Sequence, residues 1–335
     1  MLSGVRMVLE GDQLTLTGSD LELTIQVSIT VGGEVDGATV LPARLVSDIV
    51  RSLGDPRVEV TAGPDEVGIV AGRSQFSLRP LSVDDYPRLP VAASSAVVLP
   101  AASFGEALRQ VVRAASTDEA RPILTGVLLA AEADGLRLVA TDSYRLAVRD
   151  LVGTSVLGAD QKVLVPSRAL QELQRLLGGA DELTLRLGDR DATFEIGSSR
   201  LTTKLIEGEF PNYRQLIPSS HPNQLRVSRD SMLEAIRRVK IFAKDATPVR
   251  LAMSADGLRM TAVSQDVGNA ADEVDAAYSG TEMTVAFNAD YLASGIEATT
   301  TDEITIETVD ALKPAVIRGV DHAEFLYLLM PVRVP

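Results

Sequence analysis

Gly135-Leu136-Arg137-Leu138-Val139-Ala140-Thr141-Asp142 reads as a strand running into a turn, with the aspartate as the turn residue. The stretch returns as Gln13-Leu14-Thr15-Leu16-Thr17-Gly18-Ser19-Asp20 and as Gly257-Leu258-Arg259-Met260-Thr261-Ala262-Val263-Ser264-Gln265-Asp266. The aspartates at 20, 142 and 266 set a period of about 120 residues. A second anchor keeps the same step: Val40-Leu41-Pro42-Ala43-Arg44-Leu45, Val163-Leu164-Val165-Pro166-Ser167-Arg168-Ala169-Leu170 and Val285-Ala286-Phe287-Asn288-Ala289-Asp290-Tyr291-Leu292. Leu2-Ser3-Gly4-Val5-Arg6 likewise returns as Leu124-Thr125-Gly126-Val127-Leu128. That period is a domain length rather than a solenoid length, so the sequence predicts three homologous domains, 1–92, 93–220 and 221–335, with boundaries near 90–94 and 219–222.

Copies two and three each open with a helical segment, starting from Ser103 or Ser228 as N-cap. Copy one has no counterpart and lacks about 29 residues at its front: either the recorded start is internal to a longer reading frame, the favoured expectation, or the chain has lost its first helix and strand. Helices are expected over 44–53, 103–115, 168–177, 229–242 and 289–297. Residues 193–196 and 57–61 alternate with the period of half-buried strands. Many strands with two helices per complete domain make the class α+β with antiparallel sheets.

Composition narrows the function. The 335 residues are 45% hydrophobic, enough for more than one core. Cysteine is absent, which removes disulfides and thiolate metal sites and suits a reducing cytoplasm. His221 and His322 stand far apart without a motif and read as surface or loop residues. No secretion signal opens the chain, and no run reaches the roughly 18 apolar residues of a membrane span. The formal charge of −14 argues against adhesion to nucleic acid, which is built from lysine and arginine contacts to phosphate. Any DNA function must use local basic patches or topology.

Three strings carry a family resemblance: Leu138-Val139-Ala140-Thr141-Asp142-Ser143-Tyr144-Arg145-Leu146-Ala147-Val148, Gly208-Glu209-Phe210-Pro211-Asn212-Tyr213, and Leu329-Met330-Pro331-Val332-Arg333-Val334. In order and spacing they resemble the bacterial DNA polymerase III beta subunit, the DNA sliding clamp. The resemblance implies a head-to-tail homodimer of three-domain subunits, with antiparallel sheets outside and helices lining a central hole. It also implies a non-catalytic processivity factor that encircles double-stranded DNA, is placed there by a clamp loader, and tethers DNA polymerase III and other clamp-binding proteins. The chain departs from the family in Ser143 and Tyr144, where glycine and histidine are common, in the extra Pro335, and in the missing front segment.

The helices carry the basic residues. Arg44 and Arg51, and at the same positions of the repeat Arg168 and Arg175, lie two helical turns apart and share a face, while Leu45, Ile49 and Leu53, or Leu170, Leu173 and Leu177, supply the apolar stripe. Arg109 and Arg113, then Arg237, Lys240 and Lys244, follow the same logic on two further helices. Helices lining a hole with these groups would hold phosphates weakly and read no bases, as sliding requires. The fifth helix has Asp290 and Glu297 instead, and its face is assigned to partner binding.

By resemblance, a pocket for a short partner peptide lies between the second and third domains. It uses Leu124, Thr141, Ser143, Tyr144, Arg145, Leu146, Pro211, Gln215, Leu216, Asn288, Tyr291, Leu312, Pro314, Leu328, Met330, Pro331, Val332 and Arg333. Leucine, methionine and proline walls suit a leucine or phenylalanine anchor, with Arg145 and Arg333 at the rim to meet carbonyls or an acidic residue. Gln215 stands where the family often has a basic residue. The subunit contact, also by resemblance, joins Phe76 and Leu78 to Ile241 and Phe242. Alternate residues of 327–330 are expected to face opposite sides, half of them buried.

Two other classes stay in view. An enzyme would need a constellation. Asp84-Asp85 beside Tyr86-Pro87 reads as a loop pair, no glycine-rich phosphate loop or zinc spacing is present, and the repeated aspartates read as turns. No catalytic, cofactor or metal site is therefore expected. A clamp-derived paralogue, a peptide-binding scaffold without a closed ring, would share every motif above.

Overall fold

The computed structural model describes residues 3–87, 96–154, 157–158, 160–243, 247–265 and 268–333. The expected boundary near 90–94, Asp266 and Lys244 lie outside them.

The repeat appears as a four-stranded unit built three times. In copy one Gly4–Glu10, Gln13–Ser19 and Leu23–Thr30 form an antiparallel meander, and Gly37–Pro42 returns to pair with the first strand. Gly126–Glu132, Gly135–Thr141, Arg145–Val152 and Lys162–Pro166 repeat the order in copy two. Val249–Ser254, Gly257–Ser264, Gly268–Val274 and Met283–Phe287 repeat it in copy three. Each returning strand feeds a helix: α1 (Ala43–Ser52) after copy one; α2 (Ala101–Val111) opens copy two and α3 (Ser167–Leu176) follows its returning strand; α4 (Arg229–Val239) opens copy three and α5 (Ala289–Glu297) follows its own. A three-stranded meander comes next in every copy: Glu59–Ala62, Val67–Ala71 and Ser74–Leu78; Glu182–Leu187, Asp191–Ile196 and Ser199–Lys204; Glu303–Thr308, Ala315–Gly319 and His322–Leu329.

Neighbouring copies share sheets. The four strands of copy one continue into the meander of copy two through Leu23–Thr30 and Ser199–Lys204, with Ile25 opposite Leu201, and Val97–Pro100 closes this eight-stranded sheet. The four strands of copy two continue into the meander of copy three through Arg145–Val152 and His322–Leu329, with Leu146 opposite Leu328. Asn223–Ser228 and Ala276–Ser279 complete these nine strands. The compact units of the chain therefore cut across the repeat: Met1–Ala102 with Arg175–Leu205, and Ser103–Gln174 with Ile206–Pro335. The sheet of copy three ends on Gly268–Val274 and the meander of copy one on Ser74–Leu78, each an edge strand.

Local physics explains where helices start. Ser228 caps α4, its hydroxyl accepting the Ser231 amide at 3.4 Å, as its residue type predicts. Ser103 does not cap α2, which begins two residues earlier and holds Ser103 inside its first turn. The stripe expected on α3 is buried at Leu170, Leu173 and Leu177. On α1 only Ile49 is buried. Leu45 is 46% exposed, and Val46 takes its place against Leu41, Val67 and Ile69. The strand expected over 57–61 runs Glu59–Ala62 and is exposed on both faces, since it is an edge with neither face covered among the described residues.

Candidate partner-binding site and basic helix faces

The turn after Gly135–Thr141 organises the candidate pocket. Asp142 Oδ1 accepts the amides of Tyr144 (2.9 Å) and Arg145 (3.0 Å), and Oδ2 accepts Arg145 Nε at 2.9 Å. Thr141 Oγ1 donates to the Arg145 carbonyl at 2.6 Å and accepts the Ser143 amide at 3.2 Å. Ser143 sits between them at φ +80°, the left-handed region that side chains other than glycine's resist. Copy one builds the same turn: Asp20 Oδ1 accepts Glu22 and Leu23 amides at 3.0 and 2.7 Å, and Leu21 has φ +75°. The aspartates at 20 and 142 are thus turn formers.

Beyond the turn, Arg145 is spoken for. Its guanidinium lies 4.3 Å from the centre of the Tyr291 ring and Nη1 donates to Ser294 Oγ at 3.2 Å. Burial disfavours the Arg145 charge, but nearby Tyr327 and Asp142 outweigh it and raise its pKa. Two of the donors expected to meet peptide carbonyls at the rim, Nε and Nη1 of Arg145, are thus engaged within the chain. Tyr144, 59% exposed, is what this edge presents, its ring 6.4 Å from that of Tyr291. Asn288 is also engaged, capping α5 by accepting the amides of Asp290 and Tyr291.

The strand pair Arg145–Val152 and His322–Leu329 supplies the apolar floor. Leu146, Val148, Leu326 and Leu328 face a cluster with Leu128, Val139, Leu164, Val316 and Tyr213, closed by Ile123, Phe210 and Ile217. Tyr327 faces the other way onto α5, where Gly295 leaves room for its ring, and its hydroxyl donates to the Tyr291 carbonyl at 2.9 Å. Burial pushes the Tyr327 pKa up to about 12, with Arg145 acting against it. Both faces of residues 327–329 are therefore buried, not half of them, because helix and loop cover the strand from both sides. The 3-10 turns Pro122–Thr125 and Tyr213–Leu216 place buried Leu124 and exposed Leu216 beside this floor. The tail is pinned by the Met330 amide on the Tyr144 carbonyl (2.9 Å) and the Val332 amide on the Ala286 carbonyl (2.8 Å). What remains on the surface is apolar: Tyr144, Leu216, Leu312, Met330 and Val332, flanked by exposed Pro211, Gln215 and Arg333 and half-buried Pro314 and Pro331.

Of the basic set, Arg44, Arg51, Arg109, Arg113, Arg168, Arg175 and Arg237 are exposed on their helices, and Lys240 is half-buried at the end of α4. The acidic residues of α5 answer two of them: Glu297 pairs with Arg113 at 3.0 Å, and Asp290 with Lys240. Both carboxylates of that face are thus engaged within the chain. These exposed pairs are weak and salt-sensitive. Of the subunit-contact set, Ile241 is 65% exposed and Phe76 and Phe242 are half-buried, but Leu78 is 7% exposed and belongs to its own core beside Val67. Leu78 is corrected from a surface to a packing role. His221 is a half-buried loop residue with Nδ1 3.5 Å from Glu307. A polar recess of about 470 Å³ among Thr15, Gln26, Ser28, Glu195 and Arg200 offers hydroxyls and an ion pair rather than an apolar anchor site. No helix among the described residues is long and apolar enough to cross a membrane.

A thrice-repeated α/β unit whose sheets run from copy to copy, with an apolar surface where two copies meet, defines the class of replication clamps. Family models of the DNA polymerase III beta subunit match in series: the N-terminal domain over residues 1–90, the central domain over 98–212 and the C-terminal domain over 214–333. The beta sliding clamp of Streptomyces coelicolor is 33% identical across 100% of this chain and 92% of its own, and that of Synechococcus elongatus 35% identical across 96% and 88%. Among solved structures, a Bartonella birtlesii sliding clamp bound to griselimycin aligns with a TM-score of 0.94 at 34% identity, covering 99% of this chain and 92% of its own. The Bacillus subtilis clamp aligns at 0.92 and 28% identity, covering 100% and 92%. A Caulobacter crescentus clamp (TM-score 0.93, 29% identity, 99% and 91% coverage) is described with polyethylene glycol at a putative beta-motif tethering region. The chain belongs to the DNA polymerase III beta subunit, or beta sliding clamp, family, and its function is that of a sliding clamp.

Proposed function

We propose that two copies of this chain, each of three domains over 1–92, 93–220 and 221–335, close head to tail around duplex DNA in the cytoplasm. As a non-catalytic processivity factor the ring is set on DNA by a clamp loader and tethers DNA polymerase III and other partners through the apolar surface around Met330. One observation carries the ring. The strand at 23–30 pairs with 199–204, and its repeat at 145–152 pairs with 322–329, so the third equivalent, 268–274, lacks only the strand equivalent to 199–204. That equivalent is 74–78, an edge in copy one. Pairing them between two copies repeats the two internal seams and is heterologous, so it closes as a ring or propagates. Arg73 and Arg79 flank one edge while exposed Glu273 lies on the other, which favours unlike over like edges.

With exposed arginines on the helix faces but a net charge of −14, enclosure rather than adhesion should hold DNA. The test is retention on circular DNA after loading. The ring reading expects the protein to survive salt that strips basic-groove binders and to leave once the circle is cut. A scaffold without a closed ring would bind peptide but leave intact and cut circles alike, and that result would refute enclosure.

A further inference from the structure

We propose that Asp142 and Arg145 form a positioning pair that fixes Tyr291 and Tyr144 as an aromatic rim, so that these two residues meet partner peptides by apolar and aromatic contact and the charge of Arg145 takes no part, the charge exposed at the same turn being that of Arg121, whose Nη1 donates to Ser143 Oγ at 3.2 Å. The inference rests on the peptide-pocket reading and names what its rim recognises. The internal repeat supplies the control. Copy one forms the same aspartate turn, with the same two amides and the same left-handed residue, around Leu23 where copy two has Arg145. The two amide bonds and the left-handed residue therefore form with leucine, not arginine, at the third position after the aspartate.

In copy two the guanidinium joins elements that the turn alone does not reach. It holds Asp142 Oδ2 at 2.9 Å and Ser294 Oγ at 3.2 Å, and covers the Tyr291 ring at 4.3 Å. Tyr291 in turn has its carbonyl on the buried Tyr327 hydroxyl and its ring beside Tyr144. The side chains of Arg145 and Asp142 are only 14% and 9% exposed, so both charges are largely covered by the chain itself. The surface they support is the Tyr144 ring, whose backbone carbonyl also anchors the Met330 amide.

Arg145→Leu reproduces copy one, and Tyr144→Ala removes the rim. Binding is measured by calorimetry with a peptide carrying glutamine followed by spaced leucine and phenylalanine, and with versions whose acidic residues are neutral. Each variant is expected to weaken binding about 2- to 10-fold, the range of an aromatic contact, and the double variant should lose no more than either, since both remove one rim. Neutralising the peptide should cost wild type and Arg145→Leu equally. Arg145→Lys, which keeps the charge but not the planar stack, should behave as Arg145→Leu, and melting of all variants should stay cooperative. Wild-type affinity in Arg145→Leu, additive losses, or a charge preference that vanishes with Arg145 would overturn the proposal. If Met330→Ala and Leu216→Ala both leave peptide binding untouched, the pocket reading itself is wrong; if either weakens it while Arg145→Leu does not, only this inference fails.

Discussion

Ser143 is a serine held where glycine is at ease. A left-handed residue other than glycine costs about 1–2 kcal/mol, and glycine returns part of that through its greater freedom when unfolded. Ser143→Gly is expected to stabilise the protein by up to about 1 kcal/mol and Ser143→Val to destabilise it, both read from urea melts. Tyr327 makes a second residue-scale prediction. Its folded pKa, pushed up to about 12, lies above the ordinary value of 10.0, so the stability it contributes is complete below pH 10 and is lost as pH rises through 12. Melting temperature should fall across that window, and Tyr327→Phe should flatten the fall while costing about 1 kcal/mol at neutral pH through the lost bond to the Tyr291 carbonyl. At the pocket, Leu146 is fully buried, so its truncation would confuse binding with folding. Met330→Ala and Leu216→Ala are the cleaner probes, each expected to cost about 1–4 kcal/mol of peptide affinity; unchanged affinity in both would move the site elsewhere.

Among the elements, α5 shows how context reverses propensity. Glycine inside a helix normally gives way to alanine with a gain near 1 kcal/mol. At Gly295 an added Cβ would stand 2.3 Å from the Tyr327 ring, which is buried and has no free direction. Gly295→Ala should therefore lose about 1–3 kcal/mol, measured by thermal denaturation, and a gain would show that α5 can slide on its sheet. The helices and the repeat were legible in the sequence because their signals are local: aspartate turns, the serine cap at 228, apolar stripes. Ser103 misled because an upstream strand, Val97–Pro100, delivers the chain into the helix at Ala101. The pocket residues were legible as strings but not in their roles. The partners that engage Arg145, Arg113 and Lys240 lie 149, 184 and 50 residues away, separations that carry no local signal. Exposure of the 59–62 strand was illegible for a related reason, since alternation specifies a face without saying whether anything covers it.

At the scale of the molecule, the two internal seams carry ion pairs as well as ladders: Glu22 with Lys204 at 2.8 Å, and Arg149 with Glu324 at 2.8 Å. If the intermolecular seam repeats them, its assembly should be salt-sensitive. Sedimentation is expected to show a dimer that loosens at high salt and is lost in Ile241→Asp; a dimer indifferent to both would place the contact elsewhere. The edge strands have a further consequence. A contact between unlike ends is satisfied equally by a closed pair and by an endless screw, and what decides is the turn accumulated along one chain. That turn is set inside the subunit, at seams such as those that Lys204 and Glu324 join within the chain. A substitution there that bends a seam by a few degrees would leave every intermolecular contact available yet misalign the last one, and its product in the electron microscope would be fibres of this protein rather than rings.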